Sequence, residues 1–418
     1  MRRGSAVLAL PFAACALAAP PASADPPWTA PVAAGVPQPT LVDVGASGNG
    51  IVVEGGLLRR AHRSAPIRSG MVGPPSPLAV RFRPLAARVY GSNALVVAGE
   101  EAVRGGRANR VGVAFGSVDG RVASTRTLSR PSIRVRFGGM DASPAGAVAV
   151  VWRDGDAVRL AYRPPGRRFR RSVTVARPGT VVGSAVAVNA GGDALVAWNG
   201  SSRRRGEETA MFARIVRASG RLERARRLGP SWWNSSVTAA VTDDRRGLVA
   251  WTPADGGGEV LAALGGTGGR FTRGRVLADL VTGFRVPHLE AAFTAAGEGV
   301  VVWSSGDPYF GGAAQTRESL VAVAVQRGTG FAPAQTLGAP GRDATLATGP
   351  RGEALVTWLA SGAGAGDVLA ALRPAGGAFG PPERVATAQQ SRPLAAFDPA
   401  TAIPLVFSGG LVSGRPPP

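Results

Sequence analysis

The 418-residue chain is predicted to be an all-β protein built from one unit of about fifty residues that recurs along the sequence. The main observation is a returning phrase: a Gly-containing turn, a few small or β-branched residues, and then Trp. The segments between these phrases lack the period of an amphipathic helix. The phrase reads GAVAVVW ending at Trp152, GGDALVAW at Trp198, RRGLVAW at Trp251, GEGVVVW at Trp303 and RGEALVTW at Trp358.

Each unit is predicted to contain four short strands, because Gly, Ser, Asn and Asp separate the apolar segments between one anchor Trp and the next. Small and β-branched residues fill the first two strands, as expected for strands buried on both faces, whereas the fourth mixes apolar residues with Arg. In the unit around Trp251 the predicted strands are 236–242, 248–251, 260–264 and 271–278.

Three weaker anchors extend the series, over residues 50–54, 93–98 and 403–407. With the five Trp phrases they make eight anchors. Eight units of about fifty residues use nearly the whole chain, whereas seven would leave one unit unplaced. The sequence therefore predicts eight units, with seven as the alternative.

Four short antiparallel strands at this period describe the blades of a β-propeller. The order of apolar strand, Gly/Asp turn and second apolar strand resembles bacterial YVTN, NHL and TolB-like propeller repeats. The resemblance implies a fold and no activity. It also implies that the strand before each turn lines the central channel, as in residues 184–190, 288–294 and 393–399.

The two ends of the chain are predicted to close the ring together. Residues 410–416 would supply a third strand and residues 28–34 a fourth, which completes one blade between them. Closure of this kind removes a frayed edge strand. The predicted fold is thus an eight-bladed β-propeller sealed by both termini.

The N-terminus is predicted to be a secretory signal peptide over residues 1–24. Arg2 and Arg3 precede an apolar run, and the small-residue site Ala22-Ser23-Ala24 follows it. The alternative takes residues 12–15 as a lipobox, with the single cysteine, Cys15, acylated as a membrane anchor. We therefore expect an exported protein, secreted or associated with the cell envelope, whose residues 25–418 form one propeller domain.

The chain carries a formal net charge of +21, and all of its basic residues are Arg. Their clusters fall mainly on or next to predicted fourth strands, where exposed charges prevent association of sheet edges. Export argues against a nucleic-acid partner. The alternative is that these Arg clusters on the outer strands bind an anionic envelope polymer. The clusters are Arg167, Arg168, Arg170 and Arg171; Arg221, Arg224, Arg226 and Arg227; Arg81 with Arg83; and Arg121 with Arg126.

Signatures of catalysis are few. The chain has two histidines, His62 and His288, no cysteine after the leader and no Gly-x-Ser-x-Gly elbow. The turn aspartates suit backbone hydrogen bonding better than a metal site. We expect no cofactor, no metal and no catalytic residue, and we interpret the anchor Trp as packing between blades rather than as a stacking platform.

The candidate ligand site lies where the repeat is broken, on the propeller face reached by the links between the fourth and first strands and between the second and third strands. Aromatic, Asn, Asp and Arg residues together suit a sugar or a peptide. The sequence favours a monomeric binding or scaffold module for a glycan or protein at the envelope, with a carbohydrate-active glycosidase or lyase as the alternative. The candidate site residues are Trp232, Trp233, Asn234, Arg285, His288, Asp307, Tyr309 and Phe310.

Overall fold

The computed structural model describes residues 28–30, 32–33, 39–54, 62–68, 71–103, 106–177, 179–201, 209–232, 235–253, 258–266, 269–280, 288–305, 320–338, 341–361, 365–387 and 391–415. Every regular element within these ranges is a β-strand. No helix in them is long and apolar enough to cross a membrane. The candidate residues Trp233, Asn234, Arg285, Asp307, Tyr309 and Phe310 lie outside the described ranges.

The strands form eight antiparallel sheets, which are the blades of the propeller. Blade 1 contains β2 (Pro39–Val44), β3 (Gly50–Glu54), β4 (His62–Arg68), β5 (Met71–Val72) and β6 (Ser76–Leu78). Blade 2 contains β7 (Arg83–Tyr90), β8 (Ala94–Val103), β9 (Ala108–Ser117) and β10 (Val122–Thr127). Blade 3 contains β11 (Val135–Ala142), β12 (Val148–Asp154), β13 (Ala157–Arg163) and β14 (Val173–Ala176).

Blade 4 contains β15 (Thr180–Val188), β16 (Ala194–Ser201), β17 (Ala210–Val216) and β18 (Arg226–Pro230). Blade 5 contains β19 (Val237–Val241), β20 (Gly247–Trp251), β21 (Gly258–Gly265) and β22 (Arg275–Leu280). Blade 6 contains β23 (His288–Phe293), β24 (Gly299–Ser305), β25 (Leu320–Arg327), β26 (Gly330–Phe331) and β27 (Gln335–Thr336). Blade 7 contains β28 (Gly341–Thr348), β29 (Ala354–Ala360), β30 (Val368–Arg373) and β31 (Glu383–Ala386). Blade 8 contains β32 (Leu394–Asp398), β33 (Ile403–Ser408), β34 (Leu411–Gly414) and β1 (Val32–Ala33).

The eight blades form a closed ring, because each innermost strand contacts the innermost strand of the next blade and β2 contacts β32. Eight blades are confirmed and the alternative of seven is wrong. Blade 8 is completed by both ends of the chain: β1 pairs with β34, with Val32 opposite Val412, and the Thr29 amide donates to the Gly414 carbonyl at 2.8 Å. Closure by the termini is therefore confirmed.

The predicted fourth strand of blade 5 begins too early. Residues 271–274 precede β22 because Phe271 forms an isolated bridge with Gly265. Its ring lies directly over Gly247 and Gly265, where a Cβ atom would meet it at 2.7 Å in both cases. In blades 1 and 6 the fourth strand is split into two short pieces, β5 with β6 and β26 with β27.

The core is divided among the interfaces between blades. Eight hydrophobic clusters of described residues occur, one between each pair of neighbouring blades, including blades 8 and 1. The five anchor Trp are at most 2% exposed. Trp303 of blade 6, for example, packs in one cluster with Leu248 and Ala250 of blade 5. The interpretation of the anchor Trp as packing between blades is confirmed.

The glycine of the repeated phrase occupies a left-handed backbone position in the turn from the first strand to the second. The φ angles are 86° at Gly146, 80° at Gly192 and 75° at Gly297. Side chains with a Cβ atom are disfavoured there, which explains why glycine recurs with the Trp. Arg245 takes this position in blade 5 with a φ of 69° and is the exception.

Candidate functional site

The ring encloses a channel of about 1170 Å³ that is lined by all eight innermost strands. We call the face on which the innermost strands begin the upper face, and the face with their turns to the second strands the lower face. The links between fourth and first strands, and between second and third strands, open on the upper face. A second cavity of about 380 Å³ forms the mouth of the channel at the upper face.

Three carboxylates of innermost strands satisfy backbone amides of the next blade. An innermost strand has a free edge toward the channel, so its N–H groups need acceptors from outside its own sheet. The carboxylates therefore tie neighbouring blades together. The acceptor and donor pairs are Asp43 with the Val89 amide at 2.5 Å, Asp141 with the Val188 amide at 2.8 Å, and Glu290 with the Leu346 amide at 2.8 Å.

Arg88 connects two of these carboxylates inside the channel. Its Nε donates to Asp141 at 2.9 Å, and its Nη1 lies 3.9 Å from Asp43. Although burial favours the neutral guanidine, the charges of Asp141 and Asp43 raise the pKa of Arg88. Burial raises the pKa of Asp43, and the charge of Arg88 only partly opposes this shift. Inside the channel, the positive charge of Arg88 is thus offset by the carboxylates of Asp43 and Asp141.

The mouth is shaped by β-bulges near the upper ends of the innermost strands. The pairing register shifts between residues 39 and 41, 84 and 86, 137 and 139, 181 and 184, and 342 and 345. A bulge bends a strand and redirects its side chains, and such irregularities concentrate next to functional sites. Five of the eight innermost strands therefore leave the repeat pattern close to the mouth.

Arg136 and Arg153 contribute two uncompensated positive charges to the mouth. They are directly opposite each other on β11 and β12, and both side chains line the cavity. Arg136 donates to the carbonyls of Ile133 and Val135, and Arg153 to the carbonyl of Val181. No carboxylate of a described residue forms an ion pair with either guanidinium.

The surroundings of Arg153 make its positive charge less favourable than in water, although the guanidinium stays protonated. Burial lowers the pKa of Arg153, the charge of Arg136 lowers it further, and Glu100 opposes both effects. The Glu100 carboxylate is already engaged by the Phe137 amide at 2.5 Å. Like charges placed directly opposite in a sheet are destabilising. The structure therefore maintains a strained pair of cations at this end of blade 3.

His288, the first residue of β23, also lines the mouth. Its Nε2 lies 2.6 Å from Asp343 Oδ1, and Arg342 Nη1 lies 2.5 Å from Asp343 Oδ2. Although burial favours the protonated carboxyl, the hydrogen bond and charge of His288, with the charges of Arg342 and Arg392, lower the pKa of Asp343. Asp343 has a φ of 61° within the bulge of β28, which directs its carboxylate toward His288.

The His288–Asp343 pair does not complete a nucleophilic triad with a neighbouring serine. Ser304 is directly opposite His288 on β24, but it is completely buried. Its hydroxyl has no hydrogen-bond partner among the described residues. A nucleophile must be accessible and bonded to its base, so Ser304 is a core residue in this arrangement.

Trp232 lies in the link from β18 to β19 on the upper face and is 38% exposed. Its backbone amide donates to Ser235 Oγ at 2.9 Å, and its carbonyl accepts from Asn199 Nδ2 at 2.7 Å. Asn199 Oδ1 in turn accepts from the Gly183 amide. The exposed indole therefore stands on a link that is fixed to blade 4, and Ser235 of the same link lines the mouth.

The described ranges place two of the candidate residues, Trp232 and His288, on the upper face. His288 lines the mouth cavity and Trp232 lies in the link beside it. The role of the whole candidate set in ligand binding stays a prediction. The Arg clusters fall mainly near fourth strands, as expected, with Arg126 on β10 and Arg226 on β18, whereas Arg83 begins the innermost strand β7.

Four residues of the mouth are not among those predicted from the sequence: Arg136, Arg153, Asp343 and Arg392. One signal was available for Arg153, because it follows an anchor Trp directly. Residues at this position lie at the upper end of the second strand and differ between blades: Arg153, Asn199, Thr252, Ser304 and Leu359. No comparable signal marks Arg392, whose Nη2 lies 2.5 Å from Glu290 Oε1.

No protein-family model and no curated protein matches the sequence. Solved structures do match the fold. The BP39L lectin from Burkholderia pseudomallei is similar with a TM-score of 0.53 at 13% identity, over 84% of this chain and 100% of that chain. This similarity shows the β-propeller class, and the resemblance to particular repeat families stays an expectation.

Two further structures are similar at lower TM-scores. The β-propeller domain of the Trilobed protease from Pyrococcus furiosus matches with a TM-score of 0.47 at 8% identity, over 88% of this chain and 99% of that chain. A polysaccharide lyase, the PL25 ulvan lyase, matches with a TM-score of 0.46 at 12% identity, over 94% and 95% of the two chains.

Proposed function

We propose that the protein is an exported, non-enzymatic β-propeller that binds a glycan at its upper face, at the cell envelope. The observation that carries the proposal is the open mouth cavity, which combines hydrogen-bonding side chains with the exposed Trp232 beside it. Sugars present hydroxyl groups and apolar ring faces, so a site for them needs polar groups for orientation and an aromatic ring for stacking. The predicted leader over residues 1–24 supports export.

A panel of immobilised glycans tests this function. We expect the purified protein to bind a subset of them, and Trp232→Ala to weaken that binding by about two- to tenfold, because one stacking contact is lost. Met71→Ala is the matched control, since Met71 is a 73% exposed apolar residue next to the third-to-fourth-strand turn on the lower face. Absence of glycan binding, or an equal loss with Met71→Ala, would overturn the proposal.

A carbohydrate-active enzyme is the second candidate, and the His288–Asp343 pair is the observation that favours it. A carboxylate bonded to an imidazole orients it as a proton acceptor. Beside a cation that neutralises a sugar carboxylate, such a base can support elimination. Turnover of polysaccharides into unsaturated products, lost in His288→Asn and retained in Trp232→Phe, would support this candidate over the binding module.

A further inference from the structure

We propose that Arg136 and Arg153 form a subsite for an oxyanion of an acidic glycan, a uronate carboxylate or a sulfate ester. This inference rests on the proposed glycan binding and adds the chemical class of the ligand. It starts from the cross-strand pair on β11 and β12, whose two guanidinium groups face one cavity. Two Arg in this position can hold one anion between them by charge-assisted hydrogen bonds.

The Arg136–Arg153 pair has unused hydrogen-bond donors. A guanidinium carries five N–H donors, and in each residue only Nη1 donates to a protein carbonyl. Arg136 is an exposed residue, and the Nε and Nη2 groups of Arg153 are not buried without a partner. Because both residues line the mouth cavity, these donors are available to a ligand there.

The other charged residues of the mouth differ from this pair, because each has a partner of opposite charge. Arg392 is paired with Glu290, and His288 is bonded to Asp343. Only the blade 3 pair lacks a carboxylate partner among the described residues that line this cavity. A like-charged pair opposite each other costs stability, and an anion that bridges the pair would remove this cost.

Polar and apolar side chains surround the Arg136–Arg153 pair. Ser184 of blade 4 and Ser235 of the Trp232 link line the same cavity, and hydroxyl groups suit the hydroxyls of a sugar ring. Ile133, which is 68% exposed, lies in the link before β11. The cations are thus flanked by polar and apolar groups on the same face, as a charged sugar requires and a simple inorganic anion does not.

The test compares two double variants that lose the same charge. Arg136→Gln/Arg153→Gln removes the subsite, and Arg167→Gln/Arg168→Gln removes two exposed arginines of blade 3 next to its turn on the lower face. Binding is measured to polygalacturonate, dextran sulfate and neutral dextran at two salt concentrations. We expect the first variant to lose about tenfold or more in affinity for an acidic polymer and most of its salt dependence, whereas the second is unchanged.

The arms of the experiment separate the outcomes. Preference for polygalacturonate or for dextran sulfate identifies the oxyanion as carboxylate or sulfate. Equal losses in both double variants would show general attraction to the basic surface and overturn the subsite, as would unchanged binding in the first. Binding of neutral dextran alone would overturn the subsite and leave the glycan function standing, whereas binding of none of the polymers would count against both.

Melting temperatures distinguish loss of the subsite from misfolding of the variant. Without ligand, Arg136→Gln/Arg153→Gln should melt at the same temperature as the wild type or higher, because the repulsion between the two cations is removed. Glucuronate or sulfate should raise the melting temperature of the wild type more than that of this variant. A lower melting temperature of the ligand-free variant would show that the pair is structural and contradict the proposal.

Discussion

Trp251 and Trp303 provide a controlled test of how the blade interfaces are stabilised. Both indoles are completely buried at the same position of the repeat, and they differ in one hydrogen bond. Trp251 Nε1 donates to the Pro230 carbonyl at 2.9 Å, whereas Trp303 Nε1 has no partner among the described residues. We expect Trp251→Phe to destabilise the protein more than Trp303→Phe.

The magnitude follows from the two N–H groups, since the loss of ring volume is common to both variants. Removal of the Trp251 hydrogen bond costs about 1 kcal/mol of net stability. Removal of the unpartnered Trp303 N–H relieves the penalty of burying it, which is also about 1 kcal/mol at the low end of its range. The difference between the two variants should therefore be about 2 kcal/mol, or about 0.7 M in the urea midpoint at a slope of about 3 kcal/mol per M.

Urea unfolding followed by far-ultraviolet circular dichroism measures this difference without relying on Trp fluorescence. Equal slopes in the variants are required before the midpoints are compared. Trp358→Phe is the control, because Trp358 is also completely buried with an unpartnered Nε1. It should match Trp303→Phe. Equal losses for Trp251→Phe and Trp303→Phe would refute the reasoning.

Two further predictions concern the backbone and pH. Gly146→Ala should lower the free energy of unfolding by about 1–2 kcal/mol because the φ of Gly146 is 86°. Arg245→Gly should not lower it, since glycine relaxes a φ of 69° and the Arg245 side chain in the ion pair with Asp193 is half exposed. Urea midpoints measure both changes, and a comparable loss in the two variants would contradict this prediction. Burial lowers the pKa of His62, so below about pH 6.5 the unfolded chain takes up a proton that the folded state resists, and stability should fall. His62→Gln should flatten this fall between pH 7 and pH 5, and an unchanged pH slope would exclude the explanation.

The repeated part of the sequence was sufficient to predict the architecture. A buried Trp at the end of each second strand and a left-handed turn before it recur because every blade interface imposes the same packing and the same turn. The end fragments 28–34 and 410–416 were predictable because eight anchors left one blade two strands short. Repetition thus makes each unit evidence for the others.

The mouth was less predictable, because its groups are brought together by the ring rather than by sequence spacing. Asp343 reaches His288 from the next blade through a bulge that places a non-glycine residue at positive φ. Arg392 reaches Glu290 across an even larger separation in sequence. Such contacts depend on how the blades are arranged in the ring and on β-bulges in individual strands. A repeat period of about fifty residues carries no information on either.

Charge is distributed unevenly around the mouth. The uncompensated cations Arg136 and Arg153 lie on blade 3, whereas the compensated pairs of His288 and Arg392 involve blades 6, 7 and 8. Trp232 stands between blades 4 and 5, next to the basic side. An acidic sugar held by the cations would therefore meet the indole before it reached the imidazole. The repeat makes a symmetric channel, and the residues that break the repeat determine which side of it a ligand contacts.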